Sequence, residues 1–187
     1  MYVRSKSKHR KLFLFLNLFL IVTSLTMAQD QLESVRKKLK ATDYQGAKAD
    51  LTKILDNNVK NKQALMLRGE ARLGLQDYYG AIGDLNAALE IDSTLAEALN
   101  FRGAAKMALG DDDGAIADLD KAIRFNNKLT DAYTNRGLAK YNVEDLQGAY
   151  FDFSKALELG PADADKYFNR GVVKSELGEF ISAIDDY

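Results

Sequence analysis

The chain contains no cysteine, and its single histidine is His9. Without cysteine there can be no disulfide, no thiolate nucleophile or thiolate metal site, and no cysteine for lipid attachment. Without histidine beyond residue 9, Ser-His-Asp and Cys-His nucleophilic sites and imidazole-ligated metals are excluded from the rest of the chain. No GxxxxGK or GxGxxG loop is present to cradle a phosphate. The densest acidic cluster, DDD at 111–113, reads as a turn, because aspartate favours turns and helix N-termini. A calcium loop needs alternating oxygen ligands, a central glycine and a closing glutamate, which Asp111, Asp113 and Gly114 do not supply. The sequence therefore predicts no catalytic residue, no cofactor and no metal site.

The first 28 residues differ in kind from the remainder. Arg4, Lys6, Lys8, Arg10 and Lys11 precede the apolar stretch LFLFLNLFLIV (12–22), and Thr26 and Ala28 are small enough for a cleavage site before Gln29. Residues 1–28 read as a secretory signal peptide. The competing reading is a signal anchor over 12–28, close to the lower limit of about 17 apolar residues for a span; Asn17 and the weakening toward Ala28 favour cleavage. The expected location is exported, periplasmic or secreted, with membrane attachment only if this segment is retained. Its removal leaves 21 basic against 27 acidic residues, a net charge of −6, which argues against nucleic acid as a partner.

The remainder is periodic. NRGLAK (135–140) recurs as NRGVVK (169–174), and the same step of 34 connects Gly69, Gly103, Gly137 and Gly171, each preceded by arginine. A second series, Ala47, Ala81, Ala115, Ala149 and Ala183, is followed three residues on by Asp50, Asp84, Asp118, Asp152 and Asp186. A large apolar residue comes next in every copy: Leu51, Leu85, Leu119, Phe153, Tyr187. Apolar residues three and four apart, as in Ala115, Leu119, Ala122 and Ile123, predict two amphipathic helices per copy, separated by turns such as LGDDDG (109–114) and GPAD (160–163). The expected units are 28–61, 62–95, 96–129, 130–163 and an incomplete 164–187, making 29–187 a single repeat array. Glycine within a helix costs roughly 1 kcal/mol relative to alanine, so its fourfold use predicts a close approach, expected here between Gly69 and Ala81 across the hairpin.

The pattern resembles the tetratricopeptide-repeat family, whose helix-turn-helix unit carries a small residue midway along the first helix and an alanine early in the second. The resemblance covers nearly everything after residue 28. Departures are Leu65, Leu99, Tyr133 and Tyr167 at the family's first-helix tryptophan, basic residues Arg72, Lys106, Lys140 and Lys174 at its aromatic position, Val35 at the first glycine position, and Pro161 as the sole terminal proline. The resemblance implies an all-α right-handed solenoid with a concave surface lined by first helices. It implies partner-binding positions at Met66, Glu70, Leu73, Glu97, Asn100, Met107, Asp131, Thr134, Leu138, Tyr141, Asp165 and Phe168. Such a surface suits a peptide with apolar anchors and some positive charge. The first-turn acids Glu97, Asp131 and Asp165 are equally explained by the helix macrodipole. The clamp for a terminal carboxylate known in the family is not visible, since Glu97, Phe101 and Asp131 occupy its positions.

Arginine before each glycine and a basic residue four further on, such as Arg136 and Lys140, share a stripe and require acidic partners. The aspartate series is expected to supply them, each exposed pair contributing about 0–1 kcal/mol. The alternative, a row of basic ligand contacts, requires the arginines to face the groove. Tyr141→Ala together with Leu138→Ala is expected to leave folding largely intact and to weaken a partner. The last copy stops early in its second helix at Tyr187, leading us to expect either further chain or self-association through an uncapped end. The function expected is a non-catalytic exported protein-interaction scaffold; the alternatives are the recognition arm of a longer exported enzyme and a membrane-anchored assembly factor.

Overall fold

The computed structural model describes residues 29–161 and 163–187; the signal segment lies outside them. Contacts divide the chain into two units, Met1–Asp43 and Tyr44–Tyr187. In the first, α1 spans 29–40 and buries Val35 and Leu39. The second consists of α2 (Tyr44–Asn57) followed by four hairpins. These are α3 (Lys62–Gly74) with α4 (Tyr78–Ile91), α5 (Ala96–Ala108) with α6 (Asp112–Phe125), α7 (Thr130–Asn142) with α8 (Leu146–Leu159), and α9 (Ala164–Glu176) with α10 (Phe180–Ile184).

One local device makes every hairpin turn. Positive φ recurs at Thr42 (57°), Gln76 (60°), Gly110 (81°), Glu144 (63°) and Gly178 (81°), again 34 residues apart. Around it the N–H of Asp77 reaches Arg72 O at 2.9 Å and that of Gln76 reaches Leu73 O at 2.9 Å, the paired bonds of a Schellman ending. Asp77 then caps the next helix, its side chain accepting from Gly80 N; Asp111 and Asp145 do the same for α6 and α8. The aspartate cluster at 111–113 is thus accounted for by Asp111 as a cap and by Asp112, which accepts from Asn142 Nδ2 at 2.9 Å. Glycine adopts positive φ freely, whereas other residues are strained there. Glu144→Gly is accordingly expected to stabilise the fold by about 0.5–1 kcal/mol in chemical denaturation; a loss of stability would contradict this account of the turn.

The four helical glycines make room for a side chain of the second helix. A Cβ on Gly69, Gly103 or Gly137 would lie 2.7 Å from Leu85 Cγ, 2.8 Å from Leu119 Cγ or 2.8 Å from Phe153 Cε1, and one on Gly171 would lie 2.9 Å from Tyr187 Cε1. The expected contact of small residue against small residue is therefore corrected to large against small. At Gly103 backbone also comes close, with Ala115 O at 3.3 Å. The alanines of the second series, Ala47, Ala81, Ala115, Ala149 and Ala183, are all buried.

Within the second unit each helix packs against its chain neighbours. First helices also touch one another, α3 with α5, α5 with α7 and α7 with α9, whereas among the described residues no such contact joins α4 to α6 or α6 to α8. First helices therefore line the inner wall of the stack, and second helices spread apart on the outer one.

Candidate functional site

The arginines face aspartates, not the inner groove. Arg68 donates from Nε and Nη2 to Asp84 at 2.8 and 2.7 Å, and Arg102 to Asp118 at 2.8 and 2.6 Å. Arg136 engages Asp152, and Arg170 engages Asp186, each at 2.8 and 2.6 Å. The second base completes each triad: Arg72 lies 3.3 Å from Asp84, Lys106 2.8 Å from Asp118, and Lys140 and Lys174 2.9 Å from Asp152 and Asp186. Each arginine pairs with the aspartate sixteen residues ahead in its own hairpin. Its Nη1 also reaches sixteen residues back, Arg68 to Thr52 at 3.4 Å, Arg102 to Asn86 at 2.7 Å and Arg136 to Asp120 at 2.6 Å. The ladder thus ties each hairpin to the helix before it. The last hairpin lacks this tie: Ser154, sixteen residues before Arg170, has a buried Oγ without a hydrogen-bond partner.

Contrary to the expectation of exposed pairs, the carboxylates are buried: the side chains of Asp84, Asp118, Asp152 and Asp186 are 7, 3, 0 and 3% accessible. Burial pushes the Asp118 carboxyl up, but hydrogen bonds from Arg102 and Lys106 outweigh it and hold it below its ordinary value of 3.8. Asp186 is held down by hydrogen bonds from Arg170 and, against some burial, from Lys174. Half-buried Asp92, bonded to Lys62 and Thr94, is lowered to about 2. Because these folded-state values lie below the unfolded ones, their stabilisation is complete above about pH 4 and is lost as pH falls through the depressed values. Melting temperature is expected to hold from pH 7 to about 5 and to fall between roughly pH 4 and 2. Asp118→Asn should flatten that fall; a profile identical to the parent would remove the ladder from the explanation.

The twelve predicted partner positions divide by exposure. Glu97, Asp131, Asp165 and Phe168 are exposed; Glu70, Leu73, Met107, Thr134, Leu138 and Tyr141 are half-buried. Met66 and Asn100 are buried at 6 and 4%, a correction: Met66 belongs to the interior of α3, and Asn100 accepts from Asn135 Nδ2 at 2.9 Å, joining α5 to α7. Leu138 and Tyr141 pack against the cluster Ala149, Phe153 and Val173, so truncating them would damage the core as well as the face. Glu97 and Asp131 stand in the first turns of helices whose N-caps, Leu95 and Leu129, offer no side-chain hydrogen bond. Charge there favours the helix by about 0.3–1 kcal/mol.

On the outer wall lies a feature the sequence reading did not locate. A cavity of about 520 Å³ opens between α4 and α6 above α5, lined by Asn86, Leu89, Glu90, Leu99, Arg102, Lys121, Arg124 and Phe125 among others. Its signal was in the sequence: Leu99 stands where the next copy has Tyr133.

This architecture, helical hairpins stacked in register at one period, defines an α-solenoid of helix-turn-helix repeats. The family model described as TPR repeat matches residues 103–143. The 34-residue period and the helix packing carry the same helix-turn-helix pattern to either side of that match. The fold is similar to the crystal structure of MamA, with 25% identity, 81% of this chain and 89% of that one covered, and a TM-score of 0.69. It is also similar to TTC0263, a thermophilic tetratricopeptide-repeat protein in Thermus thermophilus, at 18% identity, 85 and 87% coverage and TM-score 0.74. YrrB, a tetratricopeptide-repeat protein with an unusual peptide-binding site, has 20% identity, 83 and 80% coverage and TM-score 0.63. Comparison with curated proteins finds no match.

Proposed function

We propose that the chain is an exported, non-catalytic scaffold that binds a peptide segment of a protein partner on its inner wall. The observation that carries this reading is the row of exposed acids, Glu97, Asp131 and Asp165, beside the 57%-exposed Phe168. They recur on successive first helices, the helices that touch one another along the inner side of the stack. The surface suits an extended or helical ligand with an apolar anchor and positive charge. Peptide binding by a structural neighbour supports the class of ligand, and the basic-then-apolar N-terminus supports export. Glu97→Lys together with Asp131→Lys and Asp165→Lys is expected to leave the array folded, each change costing on the order of 1 kcal/mol through the macrodipole. The same variant should lose a basic peptide partner. Intact mass beginning at Gln29 would support cleavage and export. Undiminished capture of the partner by the triple variant would move the site off the inner wall.

A further inference from the structure

We infer that the outer cavity between α4 and α6 is a second binding site, for a peptide segment that inserts one aromatic side chain and presents a carboxylate. Three observations converge on it. The first is a difference between copies: leucine stands at Leu65 and Leu99, and tyrosine takes the same position at Tyr133 and Tyr167. In the following hairpin the equivalent space holds Tyr133, whose hydroxyl donates to Asn127 O at 3.4 Å and whose ring lies 5.7 Å from the Arg136 guanidinium carbon. Asn127 corresponds to Ser93 of the cavity wall, and Arg136 to Arg102. With Leu99 in place of that tyrosine, the space is left open. Its volume of about 520 Å³ falls within the range typical of ligand pockets, roughly 300–1,000 Å³.

The second observation is charge. Lys121 and Arg124 line the α6 wall, and neither side chain has a hydrogen-bond or ion-pair partner among the described residues. In the following hairpin the residues at the same two positions, Lys155 and Glu158, pair with each other. Arg124 replaces that internal acid and leaves two cations facing the cavity. Arg102 is already engaged by Asp118 and Asn86, so an incoming carboxylate would meet Lys121 and Arg124.

The third is the floor and the opposite wall. Leu89, Leu99 and Phe125 give an apolar surface suited to an aromatic ring, and Glu90 on α4 is the acid among the lining residues. It can accept from a peptide N–H while the ligand carboxylate lies toward α6. A C-terminal aromatic residue supplies ring, carboxylate and N–H together, which is why the occupant is assigned as the C-terminal end of a peptide.

N-acetyl-phenylalaninate carries these three groups and serves as the probe, with the neutral N-acetyl-phenylalaninamide as its control, titrated into the isotope-labelled full chain and followed by NMR shifts. Saturable binding in the millimolar range is expected, with shifts centred on α4–α6 and the amide about tenfold weaker. Leu99→Trp, which fills the cavity, and Lys121→Glu with Arg124→Glu, which reverses its charge, should each weaken binding about tenfold or more. Both charge positions are exposed, so that variant remains informative if the tryptophan variant fails to fold. No saturable shift at about 20 mM probe, equal binding of the amide, or binding that persists in the folded charge variant would overturn the inference.

Discussion

Gly137→Leu is expected to destabilise the array by about 3 kcal/mol, at the upper end of ordinary overpacking costs. Helix propensity acts in the opposite direction, since leucine is roughly 0.8 kcal/mol better than glycine in a helix interior. The sign therefore tests packing alone. A Cβ at this position would sit 2.8, 3.0 and 3.1 Å from three atoms of the Phe153 ring. That ring is 1% exposed and has no free volume into which to rotate. Gly83 supplies the control: it lies within α4, is exposed, and has nothing within 4 Å of where a Cβ would be. Gly83→Ala should stabilise by about 1 kcal/mol. Chemical denaturation followed by circular dichroism reads both, and a Gly137 variant as stable as the parent would sink the packing account.

The second large effect is expected at the ladder. Asp152→Ala should cost about 3 kcal/mol, the lower part of the range for breaking a buried ion pair. The carboxylate is fully buried, and its loss leaves Lys140 without its ion-pair partner and Arg136 with Asp120 alone, their side chains being only 18 and 14% accessible. Their residual access to water is the reason for placing the cost at the lower end. Asp120 bonds the same arginine at 2.6 Å, yet its own side chain is 49% exposed, so Asp120→Ala should cost under about 1 kcal/mol. Equal losses at the two sites would mean that burial does not set the strength of the ladder.

The period was legible because each hairpin repeats one set of steric and electrostatic requirements. The glycine, arginine, alanine and aspartate series mark it directly in the sequence. The contact partner of the glycine was not legible, because a spacing of twelve across a turn places Ala81 near Gly69 but does not say which side chain projects into the gap. Leu85, one helical turn further, does so. Burial of the aspartates was equally hidden, since a charged residue beside two bases reads as a surface pair until packing encloses it. The family resemblance places Met66 and Asn100 on the inner face, but both are buried, and Asn100 is taken up by its bond to Asn135 on the next first helix. Leu99, like Leu65, stands where the following copies carry tyrosine, but only the separation of α4 from α6 turns the missing ring into a cavity.

The most direct test of the central claim is photocrosslinking with benzoylphenylalanine placed at Asp131 on the inner wall or at Tyr79 on the outer one, in cells producing the full chain. Tyr79 is 79% exposed, so both positions are open to a partner. The account predicts a discrete crosslinked protein from position 131 that is absent when Glu97→Lys and Asp165→Lys are introduced alongside. Crosslinking from position 79 alone, or from neither position, would contradict the assignment of the inner wall as the binding surface.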